Sequence, residues 1–397
     1  MTMRKRVHVD GADVAGISRL AIEGTSGITD IVEEVHRAVL ENILPGTPIH
    51  SALVESTARI YTAVRMATGA VDGGLDAALS PYVSRIAGIR STPEREAVLA
   101  AVNGVVGDHL AATKNPLAIA MRLRRGGIAL EVERSHLAAA IPDVSDKVLL
   151  FVHGLCMNDL QWSRGGRNRG TDLAHELGWT PVHLHYNSGL HVSTNGRALA
   201  GLLERVVSEW PVPVREMAIM GHSCGGLLAR SAHFYGTSAG HRWPKCLRYL
   251  VFLGTPHHGS ALERAGNYAT LLLRSTPYSL PFERIARIRG AGITDLRYGN
   301  LVDEDWQGID RFQNSADRRL PLPLPGGVRC FAIAASGFAG GFGDGLVSID
   351  SALGRHKEPA RTLAFAPSRQ WVVHGMTHRD LLTRAAIYHK IREWFAS

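Results

Sequence analysis

A chain of 397 residues with 45% hydrophobic and 20% charged content can bury a core of normal size and fits one large domain plus an extension. The net charge of +8, from 44 basic and 36 acidic residues, is scattered rather than blocked, with Arg122 to Arg125 the densest run. That argues against a nucleic-acid partner.

Four cysteines, Cys156, Cys224, Cys246 and Cys330, form no C-x-x-C pair and no zinc spacing, as expected of reduced thiols in a cytoplasmic protein. The N-terminus MTMRKRVHVDGADVAG is basic but lacks the apolar run of an export signal. No apolar stretch reaches the length of a membrane span.

In chain order, residues 1–115 are predicted to be helical. Ile28, Ile31, Val32, Val35, Val39 and Ile43 recur at three- and four-residue spacing, which puts them on one helical face. Residues 52–70 form a second candidate helix. A further helix is announced by Thr92, Pro93 and Glu94, an N-cap hydroxyl, a proline at the first position and an acid in the first turn. Packing on a catalytic domain is the expected use of these faces. Peripheral membrane docking is the alternative, since the helices mix Arg with apolar residues.

The pattern changes after residue 116. LAIAMRLRR and GIALEVE flank Gly126 and Gly127 and predict a hairpin. Short apolar runs follow at 148–152, 181–187, 217–220, 247–253 and 328–336, with a helix predicted at 197–210 between two of them. Such strands alternating with helices predict a mostly parallel sheet covered on both faces. An interruption at 261–327, closing on the proline-rich Leu320 to Pro325, falls where a lid would be inserted. A last helix is predicted from Asp380 to about Phe395.

Gly221-His222-Ser223-Cys224-Gly225 matches G-x-S-x-G. Alone the pattern is weak, and a serine in a glycine-rich turn would explain it. A strand before it and a helix after it supply the strand–turn–helix setting of a nucleophile elbow, so Ser223 is the candidate nucleophile. A serine hydroxyl needs a base and an orienting acid, in the order Ser, Asp, His for this arrangement. Asp344 in GFGDGLV and His378 in HGMTHRDLL occupy loops in that order. Asp350 and His374 are the rivals. Asp380 is expected to cap the last helix, His222 to pack, and His257 and His258 to stabilise a turn. For the oxyanion, the backbone amides of Leu155, after a strand and a glycine, and of Cys224 are the candidate donors.

Together VLLFVHGL, GHSCGG, LGTPHHGS and GDGLV…THRDLL resemble the α/β-hydrolase lipases, and more narrowly bacterial proteins similar to GPI inositol-deacylases. The resemblance covers about residues 145–397, and the segment 291–306 resembles the cap of bacterial relatives. It implies the α/β-hydrolase fold, with Ser223, Asp344 and His378 as triad and Leu155 and Cys224 as oxyanion donors. It also implies hydrolysis of lipid or aliphatic carboxylic esters through an acyl-enzyme, without cofactor or metal. Asp380 matches a position that binds calcium in some such lipases, although a helix cap accounts for it too. The expected organisation is a helical segment over 1–115 and a catalytic domain over 116–397 with its lid at about 261–327. A thioesterase, amidase or acyltransferase on the same triad is the alternative, as is a non-catalytic binding protein on the same fold.

Overall fold

The computed structural model of the chain describes residues 92–260, 290–309, 316–337 and 343–396. The helical candidates over 28–43 and 52–70, and most of the expected lid, lie outside them. The described residues belong to two compact units, one holding 92–119 and Gly290, the other 120–260 and the described residues from Ala291 on.

In the first unit, helix α1 spans Pro93–Ala112, and the Thr92 hydroxyl caps it by accepting the Arg95 amide at 3.3 Å. Asn103 is buried in its middle and ties down the chain that follows. Its amide group donates to Leu117 O at 2.8 Å and its carbonyl accepts from the Ile119 amide at 2.9 Å, so each of those buried polar groups has a partner.

The second unit is built on eight strands: β1 Arg122–Arg125, β2 Ile128–Leu130, β3 Lys147–Val152, β4 Thr180–His185, β5 Glu216–His222, β6 Leu247–Leu253, β7 Arg329–Ser336 and β8 Gln370–His374. They form one sheet in the order β2-β1-β4-β3-β5-β6-β7-β8. The predicted hairpin β1–β2 pairs antiparallel, as does β1 with β4, while every ladder from β4 to β8 is parallel. The intervening helices are α2 Arg134–Ala140, α3 Arg169–Glu176, α4 Val192–Glu209, α5 Cys224–Ser238, α6 Trp243–Cys246, α7 Ala291–Asp295, α8 Ile349–Ala352 and α9 Ala385–Ala396.

The alternation of side chains along a strand divides the core. Val148, Leu150 and Val152 of β3 join Leu199, Leu203 and Val206 of α4 and Leu228 and Ala232 of α5. Leu149 and Phe151 face the other way, joining Leu173 of α3 and Ile387, Ile391 and Trp394 of α9. A mostly parallel sheet with helices on both faces, and a serine turn between its central strand and the next helix, is the α/β-hydrolase fold.

Two element boundaries differ from the sequence expectation. Helix α4 begins at Val192, five residues before the predicted start, because the Val192 amide donates to the Asp295 carboxylate at 2.7 Å. A carboxylate distant in sequence thereby caps the first turn. The predicted C-terminal helix is broken: a 3-10 turn spans Asp380–Leu382 and α9 starts only at Ala385. Asp380 does not cap α9. Its carboxylate turns back to accept the Thr377 amide and hydroxyl at 3.0 and 2.8 Å, and it also accepts Arg384 Nε at 2.9 Å.

Candidate active site

Ser223 sits between β5 and α5 at φ 54°, ψ −131°, a conformation that costs a non-glycine residue about 1–3 kcal/mol. The turn is so tight that its flanking residues must lack side chains. A Cβ on Gly221 would lie 2.6 Å from the backbone of Gly226, and one on Gly225 would lie 2.5 Å from the carbonyls of Val152 and His153. The Ser223 amide donates to Leu253 O at 2.9 Å, which fastens the elbow to the end of β6.

His378 lies in the loop between β8 and the 3-10 turn, and its Nδ1 is 2.6 Å from Asp344 Oδ2. Both residues are buried. The other Asp344 oxygen accepts the amides of Leu346 and Val347 at 3.0 and 2.8 Å, which aims the carboxylate at the ring. An ionised carboxylate only accepts, so Nδ1 carries the proton and Nε2 is left as the basic nitrogen. Nε2 is buried and has no hydrogen-bond partner among the described residues. The same β6 end that holds the Ser223 amide also borders this ring: a Cβ on Gly254 would be 3.0 Å from His378 Nδ1 and Cε1. Ser223 and His378 thus flank one peptide, Leu253–Gly254, with no hydrogen bond joining them.

The rivals fall elsewhere. His374 ends β8 and is exposed. Asp350 lies on the short helix α8 and pairs with Arg355 at 3.6 Å.

The strand–turn after β3 carries the candidate oxyanion donors. Gly154 packs so closely on the elbow that a Cβ there would be 2.9 Å from Ser223 Cβ, which puts the next amide, of Leu155, beside the nucleophile. Cys224 is the first residue of α5, where an N–H has no intrahelical acceptor. The amides of both Leu155 and Cys224 lie against the Cys224 thiol and favour its ionised form, but burial outweighs them and pushes the thiol up to about 12. Burial also pushes Cys156 up to about 12. Neither sulfur is a thiolate at neutral pH, so neither competes with Ser223 as a nucleophile. All four cysteines are free.

Several supporting residues carry no local sequence signal. Tyr186, just past β4, donates its hydroxyl to His153 O at 2.9 Å and stacks on the His153 ring at 4.3 Å, holding the turn that presents Leu155. Ser188 Oγ accepts the Cys156 amide at 3.1 Å. His257 is fully buried with Nδ1 3.3 Å from Arg230 Nη1, while Arg230 Nη2 donates to Leu322 O and Arg319 donates to His257 O at 3.0 Å. The Thr255–His258 turn thus joins the proline-rich segment through His257, Arg230 and Arg319. A cavity of about 290 Å³ near His191, Tyr298 and Trp306 contains none of Ser223, Asp344 and His378.

Among the described residues no cluster of three or more His, Cys, Asp or Glu is arranged to hold a metal ion, and no helix is long and apolar enough to cross a membrane.

Among solved structures, the chain is similar to a lipase of Bacillus licheniformis, BlEst2 in its mature form, at 18% identity and TM-score 0.40, covering 63% of this chain and 91% of that one. It is similar to the Pyrococcus furiosus esterase Pf2001 at 13% identity and TM-score 0.39, over 64% and 82% of the two chains. It is also similar to the phospholipase PlaB of Legionella pneumophila at 16% identity and TM-score 0.39, over 63% and 59%. No protein-family model matches the sequence, and no curated protein sequence does.

Proposed function

We propose that this chain is a serine hydrolase that cleaves carboxylic esters through an acyl-enzyme. One observation carries the reading: a buried His378–Asp344 pair at 2.6 Å borders the same peptide that fastens the strained Ser223. In the proposed mechanism, Ser223 Oγ attacks the ester carbonyl carbon as its proton passes to His378 Nε2. Asp344 holds the ring in the required tautomer and stabilises the imidazolium. The amides of Leu155 and Cys224 donate to the carbonyl oxygen as negative charge develops on it, a contribution of roughly 3–4 kcal/mol per donor. His378 returns the proton to the departing alcohol, then activates a water that releases the acid from Ser223.

Lipid or aliphatic esters are the proposed substrate class. The apolar residues and prolines of the proposed lid, part of the 261–327 insertion, support it, as does the motif likeness to bacterial proteins similar to GPI inositol-deacylases. The proposed organisation is a helical segment over 1–115 ahead of a catalytic domain over 116–397. A series of p-nitrophenyl esters of increasing acyl length, compared between wild type and Ser223→Ala, tests the proposal. Hydrolysis should vanish in Ser223→Ala and favour medium to long chains. A short-chain preference removes the lipid part, and an active Ser223→Ala removes the mechanism.

A further inference from the structure

His222 precedes the elbow serine and has none of the roles above, yet it is fully buried against the base. Its ring centroid lies 4.6 Å from that of His378, tilted by 50°. Its Nε2 is 3.0 Å from the backbone carbonyl oxygen of His378. A carbonyl only accepts, so Nε2 bears the proton and Nδ1 is bare. That Nδ1 is buried without a partner among the described residues. A Cβ on Gly154 would approach it to 3.2 Å, so the ring is wedged between the oxyanion turn and the base.

The two bonds to His378 do different work. Asp344 grips the ring at Nδ1 and so fixes its rotation. His222 grips the main chain and so fixes where the ring is rooted. Because His222 is adjacent to Ser223 in the chain, its bond ties the end of β5 directly to a loop 156 residues later. A packing residue of the same size would fill the space but would leave the His378 carbonyl free to shift.

We propose that His222 is a positioning residue that sets the separation between the Ser223 hydroxyl and His378 Nε2 by holding the His378 carbonyl. The inference rests on the reading of Ser223 and His378 as nucleophile and base. Burial keeps the His222 ring neutral, so it places no positive charge beside the imidazolium that forms on His378.

The test compares full-length His222→Ala, His222→Asn and His222→Gln for kcat and KM on one p-nitrophenyl ester, with each unfolding midpoint measured. A glutamine amide nitrogen reaches about where His Nε2 sits, whereas an asparagine amide ends near Nδ1. Displacement of a reacting group by about 1 Å is enough for roughly 100-fold. Alanine and asparagine should therefore lower kcat by roughly 10- to 100-fold with KM within about twofold, and glutamine should recover most of the loss. If alanine does not fold, the Gln–Asn pair decides. Equal kcat for the two, or a wild-type kcat for alanine or asparagine, overturns the proposal. Hydrolysis of the same ester by Ser223→Ala would instead overturn the underlying reading of the site, so the two failures are distinguishable.

Discussion

Asp344 Oδ2 and His378 Nδ1 stand 2.6 Å apart and buried, while the second Asp344 oxygen is held by two backbone amides. A carboxylate so restrained can accept from only one tautomer of the ring. Asp344→Asn should therefore keep the fold and lower kcat by about 10⁴-fold, since an amide can favour the wrong tautomer. Asp350→Asn and His374→Ala, at the exposed rival positions, should stay within about twofold, as for surface substitutions generally. Steady-state ester hydrolysis by the three variants checks this, and a large loss in His374→Ala would reassign the base.

Cys224 contributes its amide to the proposed oxyanion site, and its thiol is kept protonated by burial. Cys224→Ala should then retain activity within about threefold, because the backbone donor survives the change. Iodoacetamide at pH 7 should leave the wild type active over the time in which an exposed thiol reacts fully. Rapid inactivation protected by Cys224→Ala would show that the sulfur is reactive after all.

The buried Asp295 carboxylate accepts the Val192 amide at 2.7 Å and Asn300 Nδ2 at 3.0 Å, and faces His191 Nδ1 at 3.1 Å. Removing it orphans the first turn of α4 and the half-buried Asn300 amide together. Asp295→Ala should destabilise the protein by about 2–3 kcal/mol. A urea denaturation curve with an unchanged midpoint would contradict the capping role.

Burial pushes His153 and His183 down to about 4, against about 6.5 for an unrestrained imidazole. Between those values the unfolded chain binds protons that the folded chain refuses. The slope of stability with pH is therefore positive there. Stability from these groups is fully present above about pH 6.5 and drains as pH falls toward 4, at up to about 1.4 kcal/mol per pH unit for each group. The urea midpoint should fall from pH 7 to pH 5, and His183→Gln should shrink the fall. A midpoint that is higher at pH 5 would contradict the sign.

Much of the architecture is legible in the residues because its signals are local. Val148 to Val152, Met217 to Met220 and Tyr249 to Leu253 are apolar or aromatic on both faces because helices cover both faces, and such short unbroken runs between helices read as buried parallel strands. Ser223 is legible because its turn demands glycine on either side. Asp344 and His378 are legible by order along the chain, but their pairing is not, since the bond joins residues 34 apart. The start of α4 is hidden because its cap, Asp295, comes from α7, two strands further along the chain. The break before α9 was hidden because Asp380 could cap forward or bond backward to Thr377, and only tertiary packing selects between them. His222 and Tyr186 have no periodic or motif signal for their bonds to His378 O and His153 O, which exist only once β5, β3 and β4 lie side by side.

The central claim is that Ser223 is the activated nucleophile, and covalent capture tests it most directly. Intact-protein mass spectrometry after a fluorophosphonate should show one adduct per wild-type chain, mapped to Ser223 by peptide fragmentation. Ser223→Ala should show none, and Asp344→Asn should label far more slowly. Adduct formation on another residue, or equal labelling of wild type and Ser223→Ala, would contradict the account.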